Sequence, residues 1–155
     1  MNQKSTVLSQ KQMATLLAML IALMPLSIDA YLPAIPNMAE SLGADIHRIE
    51  QSLSTFLLGV AAGQLVGGSL SDIKGRRVIA LSGLVVFIIA TFGLAAVQTG
   101  EQLLMLRMVQ AFGAGMTVVV VGAVVRDQYE SREAAQMFAL IGIILIIAPL
   151  IAPLA

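Results

Sequence analysis

Two ionisable side chains interrupt long apolar runs. Asp29 closes the run that begins near Met13, and Arg107 lies within the run 102–125. A charge at mid-span costs ~2.5–3.5 kcal/mol on insertion scales, so each residue is first read as functional. Counting back from Pro33 places Asp29 about 6 Å inside its helix end, and counting from Glu101 places Arg107 roughly 9 Å inside its own. Opposite charges at nearly one depth make a natural pair that offsets part of their desolvation. The chemistry this allows is proton uptake and release at Asp29, with Arg107 tuning the carboxylate. The plainer alternative has Asp29 reaching the interface and Arg107 bonding backbone carbonyls.

A second group is the polar run Gly68-Ser69-Leu70-Ser71-Asp72-Ile73-Lys74-Gly75-Arg76-Arg77 between two apolar segments. Gly75 permits a tight turn with positive φ. Asp72 is suited to accept from the free N–H groups of a helix N-terminus. Lys74, Arg76 and Arg77 hold the loop on one side of a bilayer. Gly59, Gly63 and Gly67 recur every fourth residue and give one smooth helix face, the usual stripe for close packing or dimerisation. The methionines at 13, 19, 24, 105, 108 and 116 are adaptable enough to line a pliable cavity, though such residues more often fill packing gaps. His47 has no metal-ligand partner at helical spacing and reads as solvated. Pro25, Pro149 and Pro153 each remove a helix donor and predict bends.

The elements that position these groups follow from composition. The chain has 155 residues, 58% hydrophobic and 12% charged, with mean hydropathy +0.91. A soluble domain carries roughly 25% charged residues, so this is a membrane chain. Apolar segments at 12–33, 51–71, 78–97, 102–125 and 134–155 each match the length of a spanning helix. Backbone groups find no water in the bilayer, so these runs are helical, and the alternation of a membrane strand is missing. The first run leads into Asp29, Tyr31 and Pro33 rather than a small-residue cleavage site, which marks it as an uncleaved span. Ser9 with Gln12 fits a capping box before it. The longest connection, 34–50, is polar.

Of nine basic residues, seven fall on one side: Lys4, Lys11, Lys74, Arg76, Arg77, Arg126 and Arg132. Arg48 alone lies on the other, and Arg107 is within a span. This asymmetry predicts a cytoplasmic N-terminus, and five spans place the other end outside. The last run stops at Ala155 with no polar stop, as a cut chain would. Cysteine is absent, which excludes disulfides and thiolate metal sites. No basic tract suggests nucleic acid, and no metal-ligand set or cofactor motif is present.

The loop, read as Gly-x-x-x-Asp-x-x-Gly-Arg-Arg over Gly68, Asp72, Lys74, Gly75, Arg76 and Arg77, resembles the signature of the major facilitator superfamily. It departs from that family at Ile73, where a basic residue is usual. Arg107, Gln110, Gly113 and Gly115 resemble the family's fourth-helix arginine motif. The run Met24-Pro25-Leu26-Ser27-Ile28-Asp29-Ala30-Tyr31-Leu32-Pro33-Ala34-Ile35-Pro36 resembles the bicyclomycin-resistance (Bcr/CflA) group of drug:proton antiporters. So do Arg126-Asp127-Gln128-Tyr129 and Ala148-Pro149-Leu150-Ile151-Ala152-Pro153. The last of these stands where antiporters carry a glycine- and proline-rich motif, with Ala148 and Ala152 in place of glycines.

The resemblance implies an all-α integral membrane protein. The chain, 1–155, would supply five helices of an incomplete six-helix N-terminal half, within a twelve-helix fold of two halves built from inverted repeats. It implies export of hydrophobic drugs, driven by the proton gradient without a cofactor, in a bacterial cytoplasmic membrane. Such transport needs both halves, so the expectation for 155 residues alone is no activity without the missing C-terminal half. A sugar or amino-acid exporter on the same scaffold is one rival, because fold does not fix cargo. A non-transporting membrane partner docking through Gly59, Gly63 and Gly67 is another. A membrane enzyme lacks any nucleophile–base pair in the spans.

Overall fold

The computed structural model describes residues 10–151, the side chains of 10, 144 and 147–151 excepted. Lys4, Ser9, Ala152 and Pro153 therefore lie outside the described residues, as do the side chains of Ala148 and Pro149. All regular structure among the described residues is helical: α1 (Gln10–Asp29), α2 (Ile35–Ser41), α3 (Ile46–Lys74), α4 (Arg76–Leu94), α5 (Gly100–Gln128) and α6 (Ser131–Ile151), with a 3₁₀ turn at Leu32–Ala34. Among the described residues, four stretches are long and apolar enough to cross a membrane: Lys11–Ser41, Ile46–Lys74, Arg76–Leu94 and Gly100–Gln128.

The helices outrun the apolar segments. At 29 residues each, α3 and α5 are about 43 Å long and exceed the ~30 Å hydrocarbon core. Local capping sets their starts. Asp45 accepts from the His47 N–H at 2.8 Å and opens α3 five residues before its apolar run. Thr99 accepts from the Gln102 N–H at 3.3 Å, while the Gln102 side chain accepts from the Gln98 N–H at 3.0 Å. Within the polar connection 34–50, α2 forms as a short helix with Pro36 in its first turn, a position where the missing N–H costs nothing.

α1 ends at Asp29, four residues before Pro33. Proline at 33 has no N–H to offer the Asp29 carbonyl, so the helix cannot continue through it. Asp29 is therefore a helix-terminal, exposed residue rather than one buried a turn inside the span, as the count from Pro33 had implied. Pro25 sits within α1.

α5 is the centre of the bundle. It packs chiefly against α3 and α4, which meet each other only sparingly, and also against α1 and α6. Gly59, Gly63 and Gly67 face α5 at Met108, Phe112 and Met116. A Cβ at 59 would stand 2.5 Å from the Met108 carbonyl oxygen, and one at 67 would stand 2.8 Å from the Met116 Cα. α5 answers with Gly115, set against the Val60 carbonyl of α3, and with Gly113, set against Gly83 and Phe87 of α4. The glycine stripe is thus filled by the chain's own α5, and it is not a free face for a partner, which corrects that expectation. α1 and α6 pack through larger side chains, with Leu17, Val121, Val125, Met137 and Ile141 in one buried cluster.

Candidate functional site: a buried arginine and a linked helix-end loop

Arg107 lies seven residues into α5, about 10 Å from its start, and is 2% exposed. Its guanidinium is stacked between two rings, 4.0 Å from the Tyr31 centroid and 4.6 Å from that of Phe56. Nη1 donates to Gln110 Oε1 at 2.8 Å, and Nη2 donates to the Ser27 carbonyl at 3.3 Å. Nε has no partner among the described residues. A planar, delocalised cation is suited to this mixture of ring faces and a backbone oxygen.

The partners are held in turn. Gln110 Nε2 donates to Thr91 Oγ1 at 2.9 Å, and Thr91 donates to the Phe87 carbonyl at 2.7 Å. The Tyr31 hydroxyl meets Ser52 Oγ and lies 3.3 Å from the Ile49 carbonyl, to which Ser52 donates at 2.6 Å. Tyr31 reaches this position because the chain turns where α1 stops. The network therefore ties α1, α3, α4 and α5 at one level, with buried polar groups that support one another.

Beside the network is a cavity of about 400 Å³ whose wall includes Ser27, Tyr31, Phe87, Thr91, Arg107 and Gln110. Asp29 is not on that wall. No ion pair joins Asp29 to Arg107 among the described residues. Sequence reasoning placed the two charges at one depth. The structure instead leaves Asp29 exposed and gives Arg107 aromatic and carbonyl neighbours. It brings together Arg107 and Gln110 of the expected motif, while Gly113 and Gly115 serve helix packing. Phe56, Thr91 and Ser52 were not singled out, and Ser27 and Tyr31 entered only within the run 24–36, without a role. Only Tyr31 carried a signal, an amphipathic ring next to a helix-ending proline; Phe56 is one apolar residue among many.

The second assembly joins the ends of α3, α4 and α5. Gly75, the single residue between α3 and α4, has φ +94° and ψ 143°, a conformation nearly confined to glycine. Arg76 is the hub: Nη1 lies 2.5 Å from Asp72 Oδ1 and 2.5 Å from Ser71 Oγ, and Nε donates to Asp127 Oδ2 at 3.0 Å. Asp72 was expected to cap the following helix. It pairs with Arg76 one turn on, and α4 has no side-chain cap. Lys74, Arg77 and Arg126 are exposed and make no ion pair among the described residues, and Ile73 is 80% exposed. At the other end of the bundle, Arg48 of α3 pairs with Glu101 of α5. The methionines do not gather around one cavity: Met19 and Met105 face outward, Met116 is core, and Met13 borders a different hollow near Arg76.

A helical bundle with several membrane-crossing stretches, an arginine buried in α5 and a Gly75–Arg76 loop clamped to α5 describes a multi-pass membrane protein. Residues 17–155 match the Major Facilitator Superfamily, and the chain belongs to that family, whose members are transporters rather than enzymes. It is 40% identical over 130 residues to a chloramphenicol resistance protein of Pseudomonas aeruginosa, covering 83% of this chain and 31% of the relative. It is 37% identical over 142 residues to the uncharacterized MFS-type transporter YdgK of Bacillus subtilis, covering 92% and 35%. It is 35% identical over 134 residues to the multidrug resistance protein MdtL of Klebsiella pneumoniae, covering 86% and 34%. The chain spans about a third of the length of these curated relatives. The resemblance to drug-resistance transporters read from the motifs is borne out.

Proposed function

We propose that the chain acts in drug:proton antiport, exporting hydrophobic antibiotics from a bacterial cytoplasm as the N-terminal part of a larger transporter. It crosses the membrane five times, α6 included, from a cytoplasmic N-terminus, and the Gly75–Arg76 loop lies on the cytoplasmic side. The observation that carries this reading is Arg107, desolvated beside a cavity and linked from α5 to three other helices. An intramembrane charge so held marks a substrate or ion pathway. Asp29 is the carboxylate we assign to proton uptake, as an ionisable group within the membrane-crossing stretch Lys11–Ser41. Relatives bearing drug-resistance names support the cargo class. Because the chain spans about a third of them, transport requires helices beyond these 155 residues.

The test begins by reading the source DNA past codon 155 and expressing the product of the whole frame. Everted membrane vesicles with an internal acid load then report proton release when chloramphenicol is added. Drug-dependent release is expected, with loss in Arg107→Ala and altered pH dependence in Asp29→Asn. Unchanged transport and pH dependence in Asp29→Asn removes the proton role from that residue. Efflux by the 155-residue chain alone overturns its need for further helices.

A further inference from the structure

We infer that the cavity beside Arg107 takes an amphiphile presenting an anionic or strongly accepting oxygen, in preference to a lipophilic cation. This rests on the proposed function for the presence of cargo in the bundle, and names its chemical class. The cavity, about 400 Å³, falls in the range of small-molecule sites. Among the described residues its wall is apolar except for Ser27, Tyr31, Thr91, Arg107 and Gln110, and it carries no carboxylate. Arg107 is the one charged residue on it among those described.

That charge is not neutralised from within. No carboxylate forms an ion pair with Arg107 among the described residues, and its Nε is the one buried side-chain polar atom among them without a partner. A desolvated cation lacking a counter-ion gains strongly from an anion entering beside it, and guanidinium is matched to carboxylate oxygens. The neighbouring polar groups are already engaged: the Ser27 hydroxyl donates to the Leu23 carbonyl at 2.6 Å, Thr91 donates to Phe87, and Gln110 bridges Arg107 and Thr91. A cation would usually be held by aromatic faces. Of the two rings on the wall, Tyr31 is already faced by Arg107 at 4.0 Å, and a cation held on Phe87 would share the cavity with that positive charge.

The test uses the purified product of the whole reading frame in nanodiscs of uncharged phospholipid, without a proton gradient. Two probes share one ring system and carry opposite charge, 2-naphthoate and 2-naphthylmethylammonium, and binding to empty discs is subtracted. Naphthoate is expected to bind at least about tenfold more tightly, and Arg107→Met, with helix content checked by circular dichroism, is expected to lose that preference. Arg107→Lys keeps the charge without the planar fork, and is expected to keep the sign of the preference with weaker naphthoate binding; this holds the test open where the methionine variant does not fold. Equal binding, tighter cation binding, no binding of either probe, or a preference that survives in Arg107→Met overturns the inference. A cation preference here leaves the export reading standing, whereas absent proton release in the vesicle assay defeats export and leaves this binding result intact.

Discussion

Arg76 and Asp127 stand 51 positions apart in sequence and meet at 3.0 Å, joining the first turn of α4 to the last turn of α5. Arg76 also holds Asp72 and Ser71, so one guanidinium connects the ends of three helices. The pairs are largely exposed, with side-chain exposures of 30% for Arg76, 54% for Asp127 and 65% for Asp72. Such pairs are worth roughly 0.2–1 kcal/mol each and are screened by salt.

Asp127→Asn is therefore expected to lower stability in SDS titration by no more than about 1 kcal/mol, with the difference shrinking at high salt. Arg76→Ala is expected to lose more, because it releases Asp72, Ser71 and Asp127 together. Equal losses in the two variants would show that the Asp72 contact contributes nothing.

The glycine contacts predict a sharp positional contrast. A Cβ at 63 runs into the Phe112 backbone, whereas one at 68 meets Val119 Cγ2 at an ordinary 3.6 Å. Gly63→Ala is expected to cost about 1–3 kcal/mol through overpacking. Gly68→Ala, in the same helix, is expected to be neutral or slightly stabilising. Unfolding of both variants in SDS measures the contrast, and similar values for the two would contradict close α3–α5 approach at Gly63.

Gln110 accepts from Arg107 and donates to Thr91. Gln110→Leu leaves both partners short of a bond in a buried site, at a cost of about 1–3 kcal/mol. In a double-mutant cycle with Thr91→Val, the two losses are expected to be less than additive, as for groups in one network. Strict additivity would mean that the Gln110–Thr91 bond carries no energy.

The absence of cysteine makes membrane sidedness directly measurable. In whole cells, a membrane-impermeant maleimide is expected to label Ala44→Cys and to spare Glu130→Cys until the cells are opened. The reverse pattern would invert the proposed orientation.

Much of the bundle was legible because bilayer solvation allows few choices. Apolar runs of spanning length must be helices, and Gly75 and the arginines beside it mark a turn whose φ is indeed positive. Helix ends were less legible. Polar residues at 46–50 read as loop, yet the Asp45 cap starts α3 there. The Thr99–Gln102 spacing was an available capping signal that marks the start of α5. The partners of Arg107 were illegible for another reason: depth counted along separate helices does not tell which way a side chain turns. Asp29 and Arg107 looked paired on that count, but the helix stops at Asp29, and two rings and the Ser27 carbonyl occupy the guanidinium.

The central place of α5 bears on the order in which the bundle is made. α3 and α4 are joined by Gly75 alone, yet each rests chiefly on α5 and only sparingly on the other. Synthesis runs from the N-terminus, so both helices enter the bilayer before their common support has left the ribosome. Until then the faces at Gly59, Gly63 and Gly83 lack the α5 backbone that covers them in the finished bundle. The bundle is therefore expected to close as α5 enters against both helices, rather than by the zipping of a preformed α3–α4 hairpin.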